Sequence, residues 1–136
     1  MKKPFRILLS TALIMSIFIL PGCDKDPSDG NVCDYQVKGY ATTVTGATTA
    51  NVNQEIDLAV TFAVSNGCGS SGGFTESTVG STTTVDLSVR YSGCTCDPNP
   101  AVRTAVYKFK RATAGTYTLQ FYQSPTAFIT YTITVT

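Results

Sequence analysis

Apolar and polar residues alternate along most of the chain from Cys33 onward. The alternation is clearest over Glu55–Val64, where every second side chain is apolar and would lie on one face of a strand. Thr82–Tyr91 and Phe128–Val135 show the same two-residue period. Because this region lacks the period of an amphipathic helix, the pattern predicts a domain built from β-strands.

Four weaker strands fill the gaps between these three, and Gly, Asn and Pro residues mark turns between them. They are Asp34–Val44, Phe74–Val79, Val102–Arg111 and Thr116–Tyr122. Strands with one apolar face each need two sheets that cover one another. The predicted fold of residues 33–136 is therefore all-β, an antiparallel β-sandwich of about seven strands.

The N-terminal segment has the features of an export signal. Lys2, Lys3 and Arg6 are positively charged, and an apolar run follows over residues 7–20. A membrane-spanning helix needs about 20 apolar residues, so this run has the length of a secretory signal peptide instead. Residues 1–22 are predicted to be that signal peptide, with an uncleaved N-terminal anchor as the alternative.

Leu20-Pro21-Gly22-Cys23 resembles the lipobox of bacterial lipoproteins. In that family the cysteine thiol receives a diacylglycerol, the chain is cut just before the cysteine, and the new amine receives a fatty acyl chain such as palmitate. The resemblance implies lipid attachment at Cys23 and membrane anchoring, because three acyl chains exceed what stable anchoring requires. A structural cysteine after an ordinary signal peptide is the alternative. Residues 23–32 then comprise the lipidated cysteine and a flexible tether.

The residues after Cys23 bear on the membrane to which the protein is attached. Asp24-Lys25-Asp26 resembles the acidic surface-export signals of some Gram-negative bacteria. In enteric bacteria, an aspartate directly after the cysteine resembles an inner-membrane retention signal. The expected location is the bacterial cell envelope, with the outer membrane or cell surface favoured and the inner membrane as the alternative.

Near the C-terminus, Ala114–Phe121 (Ala-Gly-Thr-Tyr-Thr-Leu-Gln-Phe) resembles the penultimate strand of bacterial immunoglobulin-like domains. The resemblance implies an immunoglobulin-like or fibronectin-like topology. It also implies a tyrosine corner, in which the hydroxyl of Tyr117 bonds backbone upstream. The chain has no Trp for the usual core position, so an antibody-type domain is not expected.

Four cysteines remain once Cys23 is assigned to lipid, and an even number in an exported domain predicts disulfides. A bridge between Cys94 and Cys96 is disfavoured by its short ring. Cys33 is therefore expected to pair with Cys94 or Cys96, and Cys68 with the other. The predicted strand order brings all four to one end of the domain. A four-thiolate zinc site and a redox-active Cys94-Thr95-Cys96 are the alternatives.

Composition restricts the chemistry further. The chain has no His, which excludes histidine bases, Ser-His-Asp triads and histidine metal ligands. Removal of residues 1–22 changes the net charge from +1 to −2, which argues against a nucleic-acid partner.

The candidate carboxylates are scattered, and Asp97–Pro100 is better explained as a turn than as a calcium loop. No catalytic residue, metal or cofactor is predicted, and the protein is not expected to be an enzyme.

Two aromatic residues are candidates for ligand binding. Tyr122 and Phe128 are out of phase with the buried faces of their strands and flank the last turn. Exposed aromatic rings stack on sugars or anchor protein partners. An envelope protein or a glycan is the expected partner.

Three turns are expected at the end of the domain opposite the cysteines, facing away from the membrane and available to a partner. They are Gly46–Asn53, Gly80–Ser81 and Ala112–Gly115. Lys108, Lys110 and Arg111 form a basic cluster on one strand and are expected to protect a sheet edge against aggregation.

Together these features predict a lipid-anchored, non-catalytic binding or interaction module of the envelope. A purely structural envelope component and an immunoglobulin-like protease inhibitor are the alternatives, the latter by analogy of fold alone.

Overall fold

The structure is a computed structural model that describes residues 33–136. The signal peptide, the lipid-attachment site at Cys23 and the tether all lie outside these residues. Across the described part of the chain, no helix is long and apolar enough to cross a membrane.

Nine β-strands make up the described domain. They are β1 (Asp34–Gly39), β2 (Ala41–Gly46), β3 (Thr49–Ala50), β4 (Ile56–Val64), β5 (Gly69–Val79), β6 (Thr82–Ser92), β7 (Ala101–Phe109), β8 (Gly115–Tyr122) and β9 (Phe128–Val135).

The strands form a six-stranded and a three-stranded sheet, which confirms the predicted all-β, two-sheet architecture. The smaller sheet has the order β2-β4-β7 and is antiparallel throughout. The larger sheet is centred on β6, which has β5 along one edge. The other edge of β6 is shared: β8 pairs with its first half in parallel, and β1 pairs with its second half antiparallel. From β8 this sheet continues through β9 to β3.

The structure differs in two respects from the predicted antiparallel arrangement of about seven strands. The pairs β6–β8 and β3–β9 are parallel. The predicted strand Asp34–Val44 is two strands, which belong to different sheets and separate at Tyr40. Gly39 packs closely on β6, since a Cβ atom there would lie 2.7 Å from Cγ2 of Val89. The chain then crosses to the second sheet.

Two other strand limits differ from the prediction. The short strand β3 lies inside the segment 46–53 that was predicted to be a turn. The strand β5 begins at Gly69 rather than at Phe74, because its glycine-rich start pairs with β6 through the backbone. A ladder of this kind needs no apolar side chains, so the hydrophobic pattern does not reveal it.

The core lies between the two sheets and follows the predicted alternation. In β4 the buried positions recur at every second residue from Ile56 to Val64. The largest side chains that are fully buried come from both sheets: Phe62, Phe109, Phe121, Leu58, Leu119 and Ile133. Their burial removes apolar surface from water, which is the main stabilising contribution to a domain of this size.

Two arginines, one in β7 and one just after it, connect the sheets at opposite ends of that strand. Arg103 donates hydrogen bonds to the carbonyl oxygens of Gly69 and Gly67, each over 3.2 Å. Arg111, two residues after the strand ends, donates to Oγ1 of Thr83 over 3.1 Å. These contacts hold the edge strand β7 against the β5–β6 hairpin.

Candidate functional site

The outer face of the six-stranded sheet is built around β6. The side chains of Val85, Leu87 and Val89 in this strand point into the core. The residues between them point outward, and Asp86 and Ser88 lie at the centre of the outer face. The neighbouring strands add their own outward residues to this surface because their registers align with β6.

The two candidate aromatic residues lie side by side on this face. Tyr122 ends β8 and pairs with Phe128 at the start of β9. Their ring centroids are 4.5 Å apart, and the ring planes are inclined by 44°. Phe128 is 39% exposed, whereas Tyr122 is half-buried. The structure therefore joins the two residues into one aromatic pair.

Lys38 connects this pair with the centre of the sheet. Its ammonium group lies 3.3 Å from the centroid of the Tyr122 ring, a cation–π contact. The same group forms an ion pair with the carboxylate of Asp86. The hydrogen bond to Asp86 raises the pKa of Lys38, so the lysine stays charged. One row across the sheet thus contains Phe128, Tyr122, Lys38 and Asp86.

A hollow of about 350 Å³ opens beside this row, between β1, β6 and β5. Its lining consists of Gln36, Val37, Lys38, Thr75, Asp86, Leu87 and Ser88. Gly72 lies in a β-bulge at the rim, where a Cβ atom would lie 3.0 Å from both Nε2 of Gln36 and Oγ of Ser88. The absence of a side chain at Gly72 lets these two polar groups reach the surface.

Sequence reasoning found the aromatic pair but missed Lys38, Gln36 and Ser88. The phase of Tyr122 and Phe128 within their own strands was enough to identify them. Lys38 and Tyr122 come together because β1 and β8 share one edge of β6, an arrangement that no local pattern encodes.

All four cysteines meet at one end of the domain, as predicted. Cys33 is bonded to Cys94, and Cys68 to Cys96, with Cα–Cα distances of 4.8 and 5.4 Å. This resolves the pairing that the sequence left open. Because every one of these sulfur atoms is in a disulfide, they do not provide the free thiolates that the zinc and redox alternatives require.

The segment Asp97–Pro100 lies at the same end and forms a turn. Oδ1 of Asp97 accepts hydrogen bonds from the backbone N–H and the side-chain amide of Asn99, over 3.0 and 2.7 Å. Within residues 33–136 there is no group of three or more His, Cys, Asp or Glu side chains placed to hold a metal ion.

The three predicted outward turns lie together at the opposite end, where backbone hydrogen bonds connect them to neighbouring elements. Thr118 donates to the carbonyl of Ser81, and Asn53 donates to the carbonyl of Arg111. Tyr117 donates from its hydroxyl to the carbonyl of Thr113 over 2.9 Å, the contact that the tyrosine-corner resemblance implied.

The predicted basic cluster is divided between two environments. Lys108 bonds Glu55 over 2.6 Å on the outer side of β7, and this contact raises the pKa of Lys108 and lowers that of Glu55. Arg111 instead turns inward, onto the ring of Phe109 and toward Thr83. Lys108 and Lys110 are therefore exposed at the edge strand of the three-stranded sheet, while Arg111 connects the sheets.

A buried hydroxyl lies near Arg111. Tyr107 is 2% exposed, and its hydroxyl has no hydrogen-bond partner among the described residues. Burial, and to a smaller extent the nearby Glu76 carboxylate, raise the pKa of Tyr107 well above its ordinary value. The tyrosine is therefore neutral under ordinary conditions.

No family model, curated protein or solved structure matches this chain.

Proposed function

We propose that this protein is a lipid-anchored, non-catalytic binding module of the bacterial cell envelope. Cys23 is its lipid-attachment site, residues 1–22 are its signal peptide, and it binds its partner through the outer face of the six-stranded sheet. The observation that carries the binding proposal is the aromatic pair of Tyr122 and Phe128, which adjoins the hollow through Lys38. A concave surface with an aromatic platform and a few polar groups is typical of a ligand site.

Two features support the envelope location. The positive residues, apolar run and Gly22-Cys23 end coincide as they do in lipoprotein signal peptides. The two disulfides suit an oxidising compartment outside the cytoplasm. Cys33 lies ten residues after Cys23, so the disulfide end would lie near the membrane and the three turns away from it.

We also propose that the sandwich is a variant of the immunoglobulin-like fold. The Tyr117–Thr113 contact and the β2-β4-β7 sheet support this assignment. In the regular fold, the strand that corresponds to β8 would neighbour β5; here it neighbours β6, so β5 and β6 have exchanged places. Long-range NMR contacts test this order: contacts between β8 and β6 support the variant, and contacts between β8 and β5 contradict it.

The anchor is tested by labelling cells with a palmitate analogue. The natural chain should incorporate the label and fractionate with membranes, and Cys23→Ala should do neither. Ser28→Ala, a change in the tether, is the matched control and should behave like the natural chain. Labelling of the Cys23→Ala variant would contradict lipid attachment at this residue.

Binding is tested by retention of the detergent-solubilised full chain on immobilised envelope fragments. Phe128→Ala should reduce retention about tenfold, as loss of a central aromatic contact does. Val102→Ala is the control, because Val102 is 66% exposed on the other sheet. Equal retention of both variants would contradict binding through this face. Absence of any retention would favour the purely structural alternative.

A further inference from the structure

We infer that the ligand of this face is an uncharged glycan, which lies across the strands from the hollow to Phe128. This inference rests on the proposed binding function and specifies its ligand. Three independent properties of the surface carry it: the balance of its charges, the chemistry of its uncharged groups and the position of its exposed ring.

The charged side chains of the face neutralise one another. Lys38 pairs with Asp86 beside the hollow. Arg90 lies 3.8 Å from Asp34 toward the disulfide end. Because these two pairs leave no net charge on this part of the surface, it does not attract anions such as nucleic acids, lipid headgroups or acidic polysaccharides.

The uncharged polar groups of the hollow are available to a ligand. Gln36, Thr75 and Ser88 line it, and within residues 33–136 their side chains form no hydrogen bond. An amide and two hydroxyls provide both donors and acceptors in a small space. Sugar hydroxyl groups both donate and accept hydrogen bonds, so they can pair with all three of these side chains.

Uncharged hydroxyl and amide side chains also lie next to the aromatic pair, on β9, β8 and β6. The strand register aligns two rows of outward side chains on β9, β8 and β6. The first row consists of Thr130, Gln120 and Thr84, and the second of Thr132, Thr118 and Thr82. A protein-binding surface usually has a desolvated apolar centre, whereas here two rows of hydroxyl and amide groups follow the aromatic pair along one side.

The two rings have different roles. Lys38 covers one side of the Tyr122 ring and fixes it in place. Phe128, which is 39% exposed, presents its ring to solvent. The apolar C–H side of a pyranose packs on such a ring, while its hydroxyls bond the polar groups around it. Phe128 is therefore the stacking residue and Tyr122 its support.

The dimensions fit a short oligosaccharide. The hollow, of about 350 Å³, is at the lower end of the size range for ligand pockets. From β5 to β9 the row crosses three strand spacings, on the order of 14 Å. A chain of a few sugar units would span this distance and occupy both the hollow and the ring.

The test uses the retention assay with envelope fragments treated in two ways. Periodate cleaves the vicinal diols of sugars, and protease removes proteins. We expect periodate to abolish retention of the full chain and protease to leave it unchanged. Retention should also persist in 0.5 M NaCl, because salt screens charged contacts and leaves stacking and neutral hydrogen bonds intact.

Direct binding is measured with mannotetraose, cellotetraose and maltotetraose, whose units all carry vicinal diols, with heparin as the anionic comparison. At least one neutral oligosaccharide should bind more tightly than heparin. Phe128→Ala should weaken that binding about tenfold, and Gln36→Ala several-fold. Val102→Ala should leave it within about twofold. Backbone NMR shifts on ligand addition should be confined to the outer face.

The outcomes separate this inference from the proposed function. If protease abolishes retention and periodate does not, the ligand is a protein. The inferred glycan ligand would then be wrong, and the proposed binding function would stand. If 0.5 M NaCl abolishes retention, or if the protein binds heparin more tightly than the neutral oligosaccharides, the inference that the ligand is uncharged would be wrong. Failure of all three neutral oligosaccharides to bind, despite periodate-sensitive retention, would contradict the short-oligosaccharide site. Absence of retention on untreated fragments would overturn both proposals.

Discussion

Arg111 donates a hydrogen bond from Nη2 to Oγ1 of Thr83 across the space between the two sheets. Thr83 is 1% exposed and also shares a hydrogen bond of 2.9 Å with Oγ1 of Thr78. The guanidinium group packs on the rings of Phe109 and Tyr117. One side chain thus satisfies a buried polar group, covers aromatic surface and joins the sheets.

Replacement of Arg111 by Ala should lower the free energy of unfolding by about 1–3 kcal/mol, because a hydrogen bond from a charged donor is lost. Urea denaturation measures the change. Lys110→Ala removes a neighbouring exposed charge and should change stability by less than about 0.5 kcal/mol. Equal effects of the two substitutions would contradict the connecting role of Arg111.

The two disulfides should contribute unequally to stability. In the chain-entropy relation, the Cys33–Cys94 bridge, with a separation of 61 residues, contributes about 4 kcal/mol. The Cys68–Cys96 bridge, with a separation of 28, contributes about 3.5 kcal/mol. Thermal unfolding of Cys33→Ala/Cys94→Ala and Cys68→Ala/Cys96→Ala should show a lower Tm for both, with the larger loss for the first.

Removal of the hydroxyl group from Tyr107 and from Tyr117 should change the stability of the domain in opposite directions. Tyr107→Phe removes a buried hydroxyl without a partner, so stability should stay the same or rise by up to about 1 kcal/mol. Tyr117→Phe removes the hydrogen bond to Thr113 and should cost about 0.5–1.5 kcal/mol. Chemical denaturation of the two variants measures both changes. A large loss in Tyr107→Phe would show that the hydroxyl has a bonding partner in solution.

The Glu55–Lys108 pair should produce a weak pH dependence. The hydrogen bond from Lys108 lowers the pKa of Glu55 below its ordinary value of 4.5. The stabilising contribution is therefore present above pH 4.5 and is lost as the pH falls through the lower, folded-state pKa. Both side chains are exposed, so the measurement is an NMR titration of the carboxyl group rather than a stability curve.

Lys108→Met should return the pKa of Glu55 close to 4.5, because it removes the hydrogen bond and the nearest positive charge. Lys110→Met is the matched control and should raise that pKa only slightly, since Lys110 acts through charge alone. A larger response to Lys110→Met would contradict the contact between Lys108 and Glu55.

The sequence predicted most of the strands because their side chains alternate between core and solvent. This holds for β4, where the buried residues from Ile56 to Val64 are the apolar ones. The alternation does not predict the break at Tyr40, where strand-forming residues continue along the sequence but the chain crosses from one sheet to the other. Just before this change Gly39 packs closely against Val89, which is a contact between distant parts of the chain.

The candidate site could be predicted only in part, for the same reason. The phase of Tyr122 and Phe128 shows that they leave the core, and this information is local. Their contact with Lys38 and the hollow depends on the order of strands in the sheet. Likewise, the spacing of Lys108 and Arg111 does not show that one turns outward and the other inward.

The parallel pairing of β6 with β8 also determines how the domain assembles. Between these two strands the chain passes through the other sheet as β7. The connection between two paired strands of the six-stranded sheet is thus itself a strand of the three-stranded sheet, and we expect the two sheets to fold as one unit. Such non-local pairing gives a high contact order, so we expect slow, single-step folding and loss of amide-exchange protection in both sheets together.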